Sequence, residues 1–141
     1  MASVRRYTII NRAADDVWAV LGDPVTIADW FPGVAAATVD GSQRIITTVT
    51  GLPMPEEIVT NDAIQRRFQY RLAAGFIQDH LGTIDVFDLG DGRSLVSYAT
   101  DGEPAALALM IGGATGNALL ELRRQLEAAP SAAGATSERT V

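Results

Sequence analysis

The feature that most constrains the fold is one long amphipathic stretch near the C-terminus, at residues 103–127. Beyond Pro104 it contains no helix breaker stronger than Gly, and its apolar residues recur every three or four positions, which is the period of an α-helix. A run of short strand patterns precedes it, so one helix must cover the open face of a whole sheet. The apolar positions of the predicted helix are Leu107, Ile111, Ala114, Ala118, Leu122 and Leu126.

The chain before this helix has the pattern of an antiparallel meander. β-branched and aromatic residues predict a first strand over Ser3–Ile10. Two short helices follow, one opened by Asp15 and Asp16 and one from Pro24 to Trp30. Asp-Gly pairs at 40–41 and 91–92 predict hairpin turns, the first of them closing a strand that begins after Gly33. The remaining strands are predicted at 43–50, 56–62, 66–72, 77–89 and 94–100, which makes seven strands and an α+β fold.

A single domain accounts for residues 1–129. At 141 residues and 48% hydrophobic content, the chain is long enough to bury one core of its own. Pro130 and the Ser/Ala/Gly/Thr-rich residues after it lack the apolar content to order themselves, so we expect residues 130–141 to be a disordered tail.

Composition excludes several functions. The chain has no Cys and no Lys, and its single His is His80, which removes thiolate, Schiff-base and cysteine–zinc chemistry. Its acidic residues show no metal-loop spacing, so we predict neither a metal nor another cofactor. A net charge of −6 argues against nucleic acid as a partner. The N-terminus lacks a signal-peptide pattern, and the longest apolar run, 105–111, is too short to cross a bilayer. We therefore expect a cytoplasmic protein without an integral membrane segment.

The sequence also carries a family resemblance across about residues 3–127. Residues 14–18 (ADDVW), 21–23 (LGD) and 28–34 (ADWFPGV) resemble the opening of the polyketide cyclase/dehydrase-like branch of the START-like (SRPBCC, helix-grip) superfamily. Later segments keep the same order, and the departures are Ala13, where relatives usually carry Pro, and His80, where an aromatic is common. The resemblance implies a curved antiparallel sheet wrapped around the C-terminal helix, with an apolar cavity between them. The later segments that keep the order found in the family are Arg44, Gly51, Glu56 with Ile58, Tyr70-Arg71, Gly82-Thr83 and 91–93.

Alternation along the strands selects the residues that face this cavity. Phe68, Tyr70, His80, Ile84 and Val86 all fall on the apolar face of their strands. We expect them to line a pocket of roughly 300–1,000 Å³, the usual size of a small-molecule site. His80 and Tyr70 are the candidate catalytic residues, because imidazole titrates near neutral pH, although a buried structural His is the commoner case. The candidate ligand-binding residues are Trp30, Arg44, Glu56, Phe68, Ile84, Val86, Tyr98 and Ile111.

Two further features allow more than one interpretation. Arg44 and Glu56 lie on either side of the Gly51 connection, so they are predicted cross-strand neighbours, either a ligand anchor or a structural ion pair. Gly112, Gly113 and Gly116 in the long helix indicate close packing on the sheet, room for a ligand, or a hinge.

Three functions fit the sequence. The leading one is binding of a small, largely apolar, lipid- or polyketide-like molecule, with possible cyclase or dehydratase activity. The others are a non-enzymatic lipid carrier or sensor, and a small regulatory or toxin-like interaction protein with a vestigial cavity. An enzyme predicts His80 exposed to the cavity, a carrier predicts a wholly apolar cavity, and an interaction protein predicts a filled core. The sequence does not determine the oligomeric state.

Overall fold

A computed structural model describes residues 1–130, and the predicted tail beyond Pro130 lies outside the described residues. The elements follow the predicted order, with a single 3-10 turn, Pro24–Thr26, leading into the second helix. They are β1 (Ala2–Ile10), α1 (Ala14–Leu21), α2 (Ile27–Trp30), β2 (Val34–Asp40), β3 (Gln43–Thr48), β4 (Pro53–Asp62), β5 (Arg67–Leu72), β6 (Asp79–Asp88), β7 (Ser94–Glu103) and α3 (Ala105–Ala128).

The seven strands form one antiparallel sheet in the order β1-β7-β6-β5-β4-β3-β2. Strands that are consecutive in sequence pair with each other from β2 to β7, and β1 pairs with β7 at one edge of the sheet. The helix-grip α+β fold expected from the resemblance is therefore confirmed.

β4 begins at Pro53, three residues earlier than the sequence predicted, because both of its prolines are compatible with the ladder. Pro53 and Pro55 pair with Thr47 and Ile45 of β3. The carbonyl of Pro55 accepts a hydrogen bond from Ala73, so its nitrogen also faces the β5 side, where the ladder starts only at Glu56. A proline is tolerated where its nitrogen has no ladder partner to meet.

α3 rests on the β1 and β7 side of the concave face, and Gly112 allows its close approach to β1. A Cβ at Gly112 would lie 2.5 Å from a methyl carbon of Val4, and one at Gly116 would lie 3.4 Å from the Arg6 side chain. A Cβ at Gly113 would meet nothing within 4 Å. Close packing thus explains Gly112. A Cβ at Gly116 would make only an ordinary contact with Arg6, and Gly113 faces open space.

α3 is the one helix in the described part of the chain that is long and apolar enough, by length and composition, to cross a membrane. The mean hydropathy of its best 18-residue window is 1.4, and a third of that window is buried. A core helix passes the same test, so one such helix is weak evidence, and the packing of α3 on the sheet fits the core role.

Candidate functional site

A pocket of about 190 Å³ opens between the concave face of the sheet and α3, on the side away from β1. β3, β4 and β5 form its wall, α2 and the residues after it form one rim, and α3 forms the other. Eight of its eleven lining residues are apolar. The lining consists of Ile27, Phe31, Val34, Ile46, Thr48, Met54, Glu56, Tyr70, Leu72, Ile111 and Ala114.

A buried ion pair lies at the wall of this pocket. Arg44 of β3 and Glu56 of β4 are direct cross-strand partners, as the sequence predicted. Arg44 Nε donates to Glu56 Oε1 at 2.6 Å, and the two side chains are only 3% and 2% exposed. Arg44 Nη1 donates to the carbonyl of Pro24 at 3.0 Å. The guanidinium carbon lies 5.1 Å from the ring centre of Phe68 and 5.0 Å from that of Tyr70, so two aromatic rings hold the cation in place.

The environment of Glu56 favours its neutral form more than an ion pair suggests. Burial raises the pKa of Glu56 to about 7, although the charge of Arg44 and its hydrogen bond both act to lower it. The desolvation free energy of the carboxylate is larger here than its attraction to the single guanidinium of Arg44. The carboxyl therefore titrates close to neutral pH.

Tyr70 reaches across the sheet to a second buried tyrosine. Its register partner in β6 is Gly82, and a Cβ at Gly82 would lie 2.6 Å from the Tyr70 ring, so only glycine leaves space for the ring there. The Tyr70 hydroxyl is hydrogen-bonded to the hydroxyl of Tyr98. Burial is the main cause that raises the pKa of both phenols, so both stay protonated at neutral pH.

His80 is buried beside the pocket without lining it. Its Nδ1 accepts a hydrogen bond from the Leu72 N–H at 3.1 Å, which places the ring proton on Nε2 in the neutral imidazole. Nε2 is buried and has no hydrogen-bond partner among residues 1–130. Burial lowers the pKa of His80 to about 4, despite the opposing charges of Asp79 and Asp101. His80 is therefore uncharged at neutral pH. Its pKa lies well below the near-neutral value expected of an acid–base catalyst.

The structure divides the predicted site residues into three groups. Glu56, Tyr70 and Ile111 line the pocket. Arg44 and His80 lie behind it, each hydrogen-bonded to a lining residue. The others belong to the packed core and do not line the pocket, although Phe68, Ile84 and Val86 face inward as strand alternation predicted. They are Trp30, Phe68, Ile84, Val86 and Tyr98.

Most of the lining was not selected from the sequence. Simple parity identifies part of it, because Thr48 and Ile46 share a strand face with Arg44, and Met54 shares one with Glu56. Phe31 and Val34 lie within segment 28–34, which carries part of the family resemblance, whereas the other missed residues look like ordinary core in sequence. Those are Ile27, Leu72 and Ala114.

A larger depression of about 610 Å³ lies on the convex face of the sheet, open to solvent. Its walls include Arg5, Arg67, Asp85 and Asp101, and Arg67 is paired with Asp85 at 2.7 Å. Larger volume alone does not make it the better small-molecule site, because such sites are concave and mostly apolar with few polar groups. The pocket beneath α3 fits that description more closely.

Comparison with known proteins agrees with the helix-grip fold. The family model described as polyketide cyclase/dehydrase and lipid transport matches residues 1–129. The chain belongs to this family. The match confirms the resemblance inferred from the sequence. No curated protein matches the chain.

Solved structures show the same fold at low sequence identity. XoxI from Bacillus cereus is 21% identical, with a TM-score of 0.83 over 89% of this chain and 96% of that one. The Zhui aromatase/cyclase from a Streptomyces species is 19% identical, with a TM-score of 0.73 over 94% and 98%. A truncated norcoclaurine synthase from Thalictrum flavum is 16% identical, with a TM-score of 0.70 over 89% and 92%. At these identities the likeness establishes the fold and leaves the activity open.

Proposed function

We propose that this protein binds a small, largely apolar molecule in the pocket between β3–β5 and α3. The observation that carries the proposal is the pocket itself, an apolar space with one carboxyl group, open to solvent at the interface where helix-grip proteins enclose a cavity. Membership of a family described by cyclase, dehydrase and lipid-transport functions supports it.

The volume limits the size of the ligand. At about 190 Å³ the pocket is smaller than the 300–1,000 Å³ expected from the sequence. It is slightly larger than an engineered apolar cavity of ~150 Å³ that binds benzene. One ring with a few substituents therefore fits inside, and only part of a longer lipid or polyketide would be enclosed. For nine heavy atoms at ~0.5 kcal/mol each, the dissociation constant is about 0.5 mM.

Proton transfer is the second candidate function, and one observation favours Glu56 as the group that performs it. Glu56 lines the pocket and has a pKa of about 7, whereas His80 lies outside the lining and has a pKa of about 4. If the protein turns over a substrate with a hydroxyl or carbonyl group, Glu56→Gln should lower kcat by about a hundredfold. His80→Gln should leave kcat within a few-fold, and a hundredfold loss there would restore the histidine mechanism.

The binding proposal can be tested with ethylbenzene as the probe, in an amide-detected NMR titration of the full chain. We expect shifts concentrated at the pocket lining. Ile111→Trp should abolish them by filling the space, whereas Leu109→Trp, at a 61% exposed position two residues away, should bind as the wild type does. Absence of saturable shifts in the wild type, or equal binding by both variants, would show that the pocket is not the site.

A further inference from the structure

We infer that the polar end of the ligand is an uncharged hydroxyl group, as in a phenol, an enol or an alcohol, that hydrogen-bonds to the carboxyl of Glu56. The pocket would select against the corresponding carboxylate. This inference rests on the proposed binding function and adds the chemical class of the ligand.

The charges that a ligand meets on entry are the first argument. Among the eleven lining residues one is acidic, Glu56, and none is basic. Arg44 is 3% exposed, lies behind Glu56 and over the rings of Phe68 and Tyr70, and does not contribute to the lining. An entering carboxylate would therefore meet an acidic group first, in a space where few polar groups can replace its lost water.

Few side-chain polar atoms of the pocket lining remain available to a ligand. The hydroxyl of Thr48 already bonds to Thr50 at 2.9 Å and accepts from the Leu52 N–H at 3.1 Å. The Tyr70 hydroxyl is occupied by Tyr98. Glu56 Oε1 accepts from Arg44, and Oε2 makes no hydrogen bond to any residue in the described range 1–130. Oε2 is thus the free hydrogen-bonding atom that the lining offers to a ligand.

A hydroxyl suits this atom in either protonation state of the carboxyl. An ionised Glu56 accepts the hydroxyl proton, and a protonated Glu56 donates to the hydroxyl oxygen. Burial and the neighbouring Arg44 set the charge of Glu56. The nearby phenols of Tyr70 and Tyr98 remain neutral at neutral pH, since burial raises the pKa of both.

One feature favours the opposite class. Arg44 Nη2 is buried and has no hydrogen-bond partner within residues 1–130, so an anion that reached it would gain a charged hydrogen bond. The position of Arg44 behind the lining argues against that route, and the experiment includes it as an outcome.

Three ring compounds of matched shape separate the possibilities: ethylbenzene, 4-ethylphenol and 4-ethylbenzoate, titrated by NMR into the full chain at pH 8. We expect 4-ethylphenol to bind at least about tenfold more tightly than ethylbenzene, since one hydrogen bond to a charged acceptor contributes about that much or more. 4-Ethylbenzoate should bind at least tenfold more weakly than ethylbenzene. Lowering the pH from 8 to 6 should reduce the penalty on the benzoate several-fold and leave ethylbenzene unchanged.

Glu56→Gln should remove most of the penalty on the benzoate, and Glu57→Gln, on the exposed face of the same strand, should keep it. The pH series on the wild type gives the same information if the Glu56 variant does not fold. Equal binding of ethylbenzene and the phenol would overturn the inference and leave the binding function intact. Tightest binding of the benzoate would overturn it in favour of Arg44. Failure of all three to bind would instead refute the binding function itself.

Discussion

Glu56→Gln should change how stability depends on pH, and the size of the change follows from the buried carboxyl. Burial raises the pKa of Glu56 from 4.5 to about 7, so the folded protein keeps a proton that the unfolded chain has already released. Stability falls as pH rises wherever the folded state binds more protons. From pH 5 to pH 8 this group should lower the free energy of unfolding by about 2.5 kcal/mol.

His80 produces the opposite dependence. Burial lowers its pKa from 6.5 to about 4, so between these values the unfolded chain binds more protons than the folded protein. Its contribution is lost as pH falls, and from pH 5 to pH 8 it should raise the free energy of unfolding by about 2 kcal/mol. In the wild type the two effects nearly cancel, which leaves a net change of about 0.5 kcal/mol from these two groups.

The pH dependence that each group contributes should therefore be measurable in single variants, because the two contributions nearly cancel in the wild type. Urea unfolding followed by tryptophan fluorescence at pH 5, 6, 7 and 8 would measure each curve. From pH 5 to pH 8 the free energy of unfolding should rise by about 2 kcal/mol in Glu56→Gln and fall by about 2.5 kcal/mol in His80→Gln. Glu57→Gln removes an exposed carboxylate from the same strand and should follow the wild type.

The same unfolding data separate desolvation of Glu56 from its attraction to Arg44. Removal of one partner from a buried pair costs about 3–5 kcal/mol when the attraction within the pair dominates. If Glu56→Gln is destabilised by that amount at pH 8 relative to the wild type, attraction to Arg44 outweighs desolvation at Glu56. Parallel curves for the wild type and Glu56→Gln would contradict the raised pKa as well.

Two further predictions concern packing. Gly112→Ala should destabilise by about 1–3 kcal/mol because its Cβ would overlap Val4, whereas Gly113→Ala should stabilise the helix by up to about 1 kcal/mol, and their denaturation midpoints would show opposite shifts. Tyr70→Phe should cost about 1–3 kcal/mol because it leaves the buried Tyr98 hydroxyl without its partner, and an unchanged midpoint would show that the pair contributes little.

The sequence predicted the fold and part of the site for identifiable reasons. Alternation on the strands identified the inward face, and the short connection at Gly51 made Arg44 and Glu56 cross-strand partners, which the structure confirms. These are local properties of strands and turns, so they can be inferred without knowledge of how the layers pack.

The position of the pocket could not be predicted in this way. It depends on where α3 rests, and Gly112 lets the helix settle close to Val4 of β1, so the space remains on the opposite side near Ile111. Core residues such as Phe68 and Ile84, on the same sheet face as the pocket wall, are consequently packed and do not line it. The protonation of His80 depends equally on tertiary burial, which periodicity does not measure.

A crystal structure of the protein soaked with 4-ethylphenol would show directly where the ligand binds. We predict electron density for the ring among Phe31, Met54, Leu72 and Ile111, with its hydroxyl within hydrogen-bond distance of Glu56 Oε2. Density confined to the convex face of the sheet, or an empty pocket at a concentration several times the dissociation constant measured in solution, would contradict this prediction.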